Sequence, residues 1–471
     1  MHDAVIIGGG LGGLETGVFL SERGMKVLVL ERCRQLGGAL QSYRRGSRTY
    51  DTGFHYVGGL GKGERLEAVF RGLGLMELPW RKMDDQFDIV HVGSRHIPIS
   101  QGWDSFVDGL ASQFPSERDA ISAYAELLKR CCLGSDLQLM DINAHQYLTS
   151  HFRDPMLIDA ISGASIRMEL RKESLPLLAF IENNSGYVES SWRLAGDGSM
   201  IAELLAQKIR KNGGQTVCST DIVRLEEKDG LIRSATSADG RVFRGGIFIS
   251  DIHPEQTMRM VSQSGRPVTS FLRRLKNLEN TFGMFTVSLQ LKPGALEYFG
   301  CNHYVYLHPD VWSLSERIDD EVAGVMVSCR VPMDGSPYAS QVDILTPTHW
   351  GRWDPWSDTA VGRRGTSYIQ LKDRMADDCI ALAEHALPGL RGMVSERYTS
   401  SPLTYRDYTR TPLGSAYGIR KDCRKPLLTM LSPRTPIPNL YLTGQNLMLH
   451  GVCGVTMTAL NTINEILNRE I

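Results

Sequence analysis

Residues 4–31 read AVIIGGGLGGLETGVFLSERGMKVLVLE. The apolar run at 4–7 predicts a strand buried on both faces of a parallel sheet, because such strands are continuously hydrophobic. A glycine-rich turn follows at 8–13, and apolar residues at helical spacing then predict a helix that ends at Gly24. A second apolar strand at 26–30 leads to Glu31. Strand, glycine turn, helix, strand and acidic residue in this order predict a dinucleotide-binding site of the Rossmann type.

The glycines of the turn have separate tasks. Gly8 permits a tight turn out of the strand, and Gly10 lets backbone N–H groups approach a pyrophosphate because no Cβ stands in the way. Gly13 lets the helix pack closely on the sheet. The helix begins at Leu11 and Gly12, whose end of the helix offers amides and a partial positive charge to phosphates. We therefore predict that all five residues belong to the dinucleotide site.

Glu31 stands at the tip of the second predicted strand. A carboxylate at this place accepts hydrogen bonds from an adenosine ribose. It also repels a 2′-phosphate, which argues against an NADP-type adenosine at this site. The sequence predicts Glu31 and the neighbouring Arg32 as dinucleotide contacts.

A second glycine pair follows in LGGALQS, at 36–42, and leads to YDTGFHYVGG at 50–59. A simple NAD-binding fold would normally continue into another helix and a third parallel strand. A glycine-rich excursion instead favours a chain that runs along an extended cofactor such as a flavin dinucleotide. We predict contacts from Gly37, Gly38, Ala39 and Leu40.

The chain resembles FAD-dependent oxidoreductases of the phytoene desaturase, carotenoid isomerase and retinol saturase type, within the amine-oxidase-like superfamily. The resemblance depends on the following motifs in the family's order: GGGLGGLETGVFLSERG at 8–24, LGGALQS, YDTGFHYVGG, LAGDGSM at 194–200, TPLGSAYG at 411–418 and NLYLTGQ at 439–445. Ala39 is a departure, because many superfamily members have an arginine directly after the glycine pair. The pyrophosphate contact of that arginine must then come from another group.

This resemblance implies an α/β fold with a Rossmann-type FAD-binding domain, as in flavoproteins of the glutathione reductase type. A substrate domain with a mixed sheet and helices is inserted into it. The expected FAD-binding domain comprises residues 1–62, 187–262 and 425–471, and the expected substrate domain comprises 63–186 and 263–424, of which 63–186 looks mainly helical.

The resemblance also implies one noncovalent FAD with contacts outside the first glycine turn. Ile222 and Val223 would pass under the adenine. A final helix that opens near 449–455 would point its N-terminus at the flavin's pyrimidine edge, where negative charge develops on reduction. The expected contacts around that helix are Gly444, Gln445, Gly454 and Val455.

His55 is the candidate catalytic residue, because it alone in the stretch 52–59 titrates near neutral pH. The resemblance places this stretch near the flavin ring. There the imidazole would donate a proton to a substrate carbon or fix a polar end group. A structural histidine bonded to the backbone is the alternative.

The function implied by the resemblance is an oxidoreductase that acts on C=C bonds of an apolar polyene or isoprenoid-like substrate. Saturation, desaturation and cis–trans isomerisation all remain open. A flavin amine oxidase is the second hypothesis. A non-catalytic lipid-binding escort, as in the Rab GDP-dissociation inhibitors, is a third hypothesis from another class. The chain has one GxGxxG-plus-acid unit, so we expect no second Rossmann domain for NAD(P)H.

Charge balance and cysteine spacing argue against nucleic acid and metal ions as partners. Lys and Arg total 52 against 53 Asp and Glu, so the chain has no bulk positive charge for nucleic acid. Its nine scattered cysteines lack metal-ligand spacing, which predicts reduced thiols, no metal site and a cytoplasmic protein. We find neither a secretory signal pattern nor an apolar run of about 18 residues that would span a bilayer.

The segment HWGRWDPW at 349–356 carries three of the seven tryptophans. These indoles would line a tunnel, touch a membrane face or pack onto their own domain. A peripheral membrane contact therefore stays open, as does the oligomeric state.

Overall fold

The computed structural model describes residues 1–46, 48–134, 136–262 and 265–468. The strands, in chain order, are β1 (His2–Ile7), β2 (Val27–Leu30), β3 (Ser42–Arg45), β4 (Arg48–Asp51), β5 (Val57–Gly58), β6 (Trp80–Lys82), β7 (Gln86–Val92), β8 (Arg95–Ser100), β9 (Ser191–Leu194), β10 (Gln215–Val217), β11 (Ile222–Lys228), β12 (Leu231–Ser237), β13 (Val242–Phe243), β14 (Gly245–Ser250), β15 (Gly283–Leu291), β16 (Asn302–Tyr306), β17 (Gly324–Cys329), β18 (Gln341–Thr348), β19 (Val394–Ser400) and β20 (Leu440–Leu442).

The α-helices are α1 (Leu11–Ser21), α2 (Arg65–Leu73), α3 (Trp103–Gln113), α4 (Arg118–Leu133), α5 (Ala144–His151), α6 (Pro155–Gly163), α7 (Leu177–Glu189), α8 (Ser199–Lys211), α9 (Pro254–Arg259), α10 (Arg266–Lys276), α11 (Leu314–Arg317), α12 (Gly365–Ala383), α13 (Leu390–Met393), α14 (Pro402–Thr409), α15 (Pro426–Thr429) and α16 (Gly451–Leu467).

The first sheet has five parallel strands in the order β10-β2-β1-β14-β20. Its central strand β1 is buried by helices, because α1 packs against both α8 and α16. Val5 pairs with Leu28 on one side and with Phe248 on the other, so the apolar runs of three distant segments meet in one layer. This is the Rossmann-type sheet that the sequence predicts, and the predicted fold class is confirmed.

A small antiparallel sheet, β11-β12-β13, connects β10 to β14. The sequence predicts this meander from two short apolar runs separated by a Lys-Asp-Gly turn. Asp229 and Gly230 adopt left-handed backbone conformations there, with φ of 55° and 75°. The turn therefore forms where the sequence places it.

The second large sheet has seven strands in the order β19-β15-β18-β17-β16-β7-β8. Neighbouring strands are antiparallel, except that β16 pairs with β7 in parallel. One face of this sheet packs against α12. The other face packs against the helical layer α3 to α7, and both cores are apolar.

The segment 63–186 is mainly helical, as expected, but it also contains the three strands β6, β7 and β8. The sequence pattern does not predict these strands. The reason lies in β7, which is covered on both faces and therefore lacks a simple alternation of apolar and polar residues. Asp88 and His91 are both buried in it, at 0 % and 7 % exposure, and their polarity hides the strand.

All strands of the five-stranded sheet fall within 1–62, 187–262 and 425–471, and all strands of the seven-stranded sheet fall within the other two ranges. A three-stranded sheet, β5-β9-β6, crosses this division because β6 pairs with β9. The exact division into two domains stays a prediction.

The three indoles of 349–356 pack onto their own domain. Trp353 is fully buried and stacks on Phe285 with ring centroids 5.7 Å apart. Trp350 and Trp356 pack against the same core beside α12. Among the described residues, no helix combines the length and the apolar character that crossing a bilayer would require.

Candidate active site

One cavity of about 620 Å³ borders both large sheets. The glycine turn after β1 lines one part of it, and Met284, Met326 and Leu345 of the seven-stranded sheet line another. Most predicted site residues meet at this cavity: Gly8, Gly10, Leu11, Gly12, Glu31, Arg32, Gly37, Gly38, Ala39, Leu40, His55, Ile222, Val223, Gln445 and Val455.

The two glycine segments pack against each other. Gly37 N–H donates a hydrogen bond to the carbonyl oxygen of Gly9 at 2.7 Å. Gly37 and Gly38 have φ of 116° and 57°, and a Cβ on Gly38 would lie 3.2 Å from the Cα of Gly10. Both segments therefore require glycine, one for its backbone conformation and the other for close approach.

Glu31 is 8 % exposed and ends β2 at the cavity wall. Its Oε2 accepts a hydrogen bond from Gly9 N–H at 2.8 Å, and its Oε1 accepts one from Cys33 N–H at 2.7 Å. A carboxylate offers about four acceptor positions, so ribose hydroxyls would still find an acceptor here. The structure thus adds a second task for Glu31, which is to hold the glycine turn in place.

Three predicted contacts, Gly13, Gly444 and Gly454, are not among the residues that line the cavity. A Cβ on Gly13 would lie 2.3 Å from the carbonyl oxygen of Gly8, which is the close helix–strand packing expected of it. Gly444 lies against Gly12, and a Cβ on Gly454 would lie 2.7 Å from the carbonyl of Leu449. These glycines therefore allow the elements that form the cavity to pack closely, because a side chain at any of them would clash with a neighbouring segment.

Asp251 is a cavity residue that the sequence analysis missed. It follows β14, and its side chain accepts hydrogen bonds from the amides of Gly10 and Gly13. Burial, together with the charge of Glu31, raises the pKa of Asp251 to about 7. Its position in the sequence could have indicated it, because the residue that follows a parallel strand next to β1 lies beside the phosphate-binding turn.

The residues at this end fit a dinucleotide. Gly8 turns with a φ of 99°, and the N-terminus of α1 at Leu11 and Gly12 borders the cavity. A Cβ on Gly10 would lie 2.5 Å from Oδ2 of Asp251, so the cradle tolerates glycine alone. The raised pKa of Asp251 favours its neutral form, which is compatible with an adjacent pyrophosphate.

The N-terminus of α16 borders the same cavity through His450, Gly451 and Val452. Nε2 of His450 lies 2.7 Å from the carbonyl oxygen of Arg167, and its ring stacks on Tyr417 at 4.4 Å. Burial lowers the pKa of His450 to about 4, so the ring is neutral at pH 7. A helix N-terminus stabilises negative charge that develops in front of it.

His55 lies between the large cavity and a water-sized cavity of about 20 Å³ that Asp51 and Arg330 also line. Its Nε2 is buried and has no hydrogen-bond partner among the described residues. Burial lowers the pKa of His55, opposed by Asp343. The imidazole is therefore neutral at pH 7, which is the form that can accept a proton, and burial makes it a weaker base than a free histidine.

A buried network joins the far end of the cavity to the seven-stranded sheet. Tyr56 O–H lies 3.0 Å from Oδ2 of Asp88 and 2.8 Å from the hydroxyl of Tyr304, and Nη1 of Arg167 donates to it at 2.6 Å. Asn302 donates to the other carboxylate oxygen of Asp88 at 2.8 Å. Burial raises the pKa of Asp88 to about 6, and the group is mainly ionised at pH 7.

No motif in the sequence predicts this network. Tyr56 lies in the quoted motif at 50–59, whereas Arg167 comes from a loop between α6 and α7 with no motif around it. Asp88 and Tyr304 belong to the paired strands β7 and β16, and Asp88 and its partner Asn302 are 214 positions apart in the chain. Only the assembled sheet brings these side chains together.

Comparisons with known proteins agree with this architecture. The family model described as an NAD(P)-binding Rossmann-like domain matches residues 6–73. All-trans-retinol 13,14-reductase of Rattus norvegicus is 25 % identical over 100 % of this chain and 86 % of its own length. Prolycopene isomerase 2, a chloroplastic protein of an Oncidium hybrid cultivar, is 22 % identical over 94 % of this chain and 80 % of its own length.

Among solved structures, cyclohexylamine oxidase of Brevibacterium oxydans matches with a TM-score of 0.63 and 14 % identity, and the match covers 100 % of both chains. At this identity the likeness shows the fold. The matches to these two relatives cover 100 % and 94 % of this chain, which agrees with motifs that follow the family's order along the whole sequence. The resemblance to the phytoene desaturase, carotenoid isomerase and retinol saturase type that the motifs predict is thus confirmed, because the chain is similar over nearly its whole length to an all-trans-retinol 13,14-reductase and to a prolycopene isomerase.

Proposed function

We propose that this chain is an FAD-dependent oxidoreductase that acts on C=C bonds of an apolar polyene or isoprenoid-like substrate. The observation that carries the proposal is one continuous cavity, which the glycine turn borders at one end and Met284, Met326 and Leu345 border at the other. A dinucleotide and an apolar substrate would share this space inside the molecule. Such proximity is what transfer between a cofactor and a substrate carbon requires.

The chain's own residues have distinct roles in this proposal. The turn at 8–13 would bind the pyrophosphate, Glu31 the ribose, and Ile222 with Val223 the adenine. When bound, the flavin supplies hydride transfer to or from a carbon of the substrate. The N-terminus of α16 would stabilise negative charge on the ring, and His55 would hold or accept a proton at its Nε2.

The names of the relatives support a substrate with conjugated double bonds, since one relative is named for a retinol reduction and another for a prolycopene isomerisation. Saturation, desaturation and isomerisation are three outcomes of the same proposal. Conjugation length distinguishes them, because saturation shortens it, desaturation lengthens it and isomerisation conserves it.

The proposal is tested with the purified, flavin-loaded chain and all-trans-retinol as a probe, under anaerobic conditions with and without a chemical reductant. We expect flavin absorbance from the protein and conversion of the probe, followed by chromatography and absorbance. A protein that binds no flavin but carries lipid would indicate a non-catalytic escort. Flavin that is reduced by amines, with the probe unchanged, would indicate an amine oxidase.

A further inference from the structure

The short helix α15 exposes two neighbouring leucines. Leu427 is 82 % exposed and Leu428 is 46 % exposed. This segment is held from two sides, because Nη2 of Arg274 donates to the carbonyl oxygens of both leucines at 2.8 and 2.9 Å, and the amide of Cys423 donates to the carbonyl oxygen of Ser174 at 2.9 Å. A single exposed leucine is ordinary, but an adjacent pair on a fixed segment favours a contact outside the chain.

The two segments that meet here are strongly basic. Residues 265–278, which include α10, and residues 420–430, which include α15, together contain eight lysines and arginines and one acid, Asp422. That acid is already paired with Arg424. The whole chain has a net charge of only −1, so the positive charge is a local feature. A local excess of this kind attracts an anionic partner.

Four exposed cations of these segments form no ion pair within the described parts of the chain: Arg266, Arg273, Lys276 and Lys425. Helix α10 buries Val268 and Leu275 in the core beneath it, so its exposed cations occupy the remaining faces of the helix. Arg274 of the same helix reaches α15, so the basic helix and the exposed leucines adjoin each other. We call the two leucines and the four cations the docking surface.

The segment that carries the leucines also contacts the wall of the cavity. Nζ of Lys421 donates to the carbonyl oxygen of Thr429, the last residue of α15, at 3.0 Å. The same Nζ donates to the carbonyl oxygens of Asn446 and Leu447 at 2.9 and 3.0 Å. Asn446 lines the cavity. A partner bound at the docking surface is therefore separated from the cavity by one layer of chain.

We propose that the docking surface binds a lipid bilayer that contains anionic lipids. Leu427 and Leu428 enter the boundary between headgroups and acyl chains, and the four cations contact the anionic headgroups. A nucleic acid would use the cations but offers no apolar phase to the leucines. The tryptophans of 349–356 are not part of this contact, because they pack onto the core beside α12.

The test is cosedimentation of the full, flavin-loaded chain with vesicles of phosphatidylcholine, prepared with and without phosphatidylserine, at low and at high salt concentration. Each cation near an anionic membrane contributes about fivefold in affinity. We therefore expect binding to the vesicles with phosphatidylserine, binding to phosphatidylcholine alone that is weaker by about tenfold or more, and release at high salt. Equal binding to both kinds of vesicle, or binding to neither, would overturn the inference.

Two double variants locate the contact. Leu427→Ser with Leu428→Ser removes the apolar part and should weaken vesicle binding about tenfold to a hundredfold, the range for one fully buried leucine. Arg273→Gln with Lys276→Gln removes two cations and should weaken binding to the anionic vesicles about twentyfold, with little change for phosphatidylcholine alone. Because all four side chains are exposed, flavin content and circular dichroism should match the wild type.

Matched controls change the same kinds of side chain elsewhere. Met333→Ser with Val361→Ser removes two apolar side chains that are 73 % and 58 % exposed, and Arg81→Gln with Lys82→Gln removes two exposed cations of β6. Both controls should bind vesicles as the wild type does. An equal loss in the controls and in the docking-surface variants would overturn the inference, because binding would then be unspecific.

Polyglutamate, as a probe for an acidic protein partner, separates the remaining alternative. Capture of the chain by polyglutamate, without binding to any vesicle, would indicate that the basic surface serves a protein and would overturn the inference. The inference goes beyond the proposed function and does not depend on it. No step of the test uses a substrate, so its failure would leave the proposed reaction untouched, and an inactive chain could still bind the vesicles.

Discussion

The two ends of the cavity are built in opposite ways. At the dinucleotide end, short segments of contiguous sequence supply backbone groups, with Glu31 and Asp251 as acids beside them. At the other end, which Met284 and Leu345 border and which we call the substrate end, side chains from distant segments converge. Arg167 is the charged residue that lines the cavity there. Backbone recognition leaves a motif in the sequence because it requires glycine at fixed spacing, whereas side-chain recognition leaves none.

Replacing Gly10 by Val should have the largest effect. A Cβ at this position would lie 2.5 Å from Oδ2 of Asp251, so the branched side chain would displace the carboxylate or fill the pyrophosphate position. We expect no measurable flavin in the purified variant. The measurement is the flavin-to-protein ratio, with circular dichroism to establish that the variant is folded.

Gly72→Val is the matched control for this substitution. Gly72 is an exposed glycine of α2, and a Cβ added there would have no described neighbour within 4 Å, so the same change should leave flavin content unaltered. A folded Gly10→Val variant with full flavin occupancy would contradict the assignment of the dinucleotide end.

The next effect concerns His55, which lines both the large cavity and the small cavity beside it. His55→Gln keeps a hydrogen-bonding side chain of similar reach but cannot carry a proton near neutral pH. We expect the variant to retain flavin and to lose about a hundredfold in turnover, the usual range for a removed acid–base group. His349→Gln, on the partly exposed segment that follows β18, is the control.

The pH dependence of turnover has a definite sign. Burial lowers the pKa of His55 below its usual 6.5, so the wild-type imidazole is neutral at pH 7 and becomes charged only at lower pH. If the neutral ring accepts a proton in the reaction, turnover falls as the pH drops through this lowered pKa, and His55→Gln loses that acid limb. A variant with normal turnover and an unchanged profile would make His55 a structural residue.

Glu31→Ala tests how much of the dinucleotide end depends on a side chain. The loss of a charged acceptor should cost roughly 1.5–3 kcal/mol, or about tenfold to a hundredfold in flavin affinity. Glu31→Gln retains one oxygen acceptor for the amides of Gly9 and Cys33, so its flavin should dissociate less readily than that of Glu31→Ala. Unchanged dissociation constants in both variants would show that this carboxylate does not contact the cofactor.

The smallest expected effect is a pH dependence that Asp251 imposes on flavin binding. Burial raises the pKa of Asp251 to about 7, so the carboxyl is neutral below that pH and gains a negative charge beside the pyrophosphate above it. Wild-type flavin affinity should therefore fall several-fold as the pH rises through about 7, and Asp251→Asn should abolish this trend. The measurement is the flavin dissociation constant across this range, and identical slopes in both proteins would contradict the prediction.

The same group affects stability in the absence of a ligand. A carboxyl whose pKa is raised in the folded state binds its proton more tightly there than in the unfolded chain. Unfolding is therefore favoured as the pH rises from about 4 through about 7. The free energy of unfolding of Asp251→Asn should increase relative to the wild type over this interval.

The glycine turn and the strands on both sides of it could be predicted from the sequence because their information is local. The turn, the strands on both sides of it and Glu31 all lie within 31 residues, and the second glycine pair follows directly. Asp251 was not predicted as a site residue because Gly10, its neighbour in the fold, is far from it along the chain.

The side-chain contacts of the substrate end could not be predicted from local sequence patterns, because the residues that form them are far apart in the chain. Arg167 lies in a loop without periodicity, and its partner Tyr56 belongs to a motif that indicates a flavin neighbourhood rather than a hydrogen-bond network. The buried Asp88 and His91 made β7 look unlike a strand, although paired polar groups are tolerated in a covered sheet. The roles of such residues can be recognised only in the folded structure, where strands from both halves of the chain have paired.

The position of β20 and α16 in the five-stranded sheet also affects synthesis. During translation β20 at 440–442 and the helix that packs on α1 emerge from the ribosome long after the glycine turn at 8–13. Until they emerge, the apolar edge of β14 and one face of α1 stay unprotected. Pairing between such distant segments delays closure of the sheet, because the long intervening chain must first be closed into a loop.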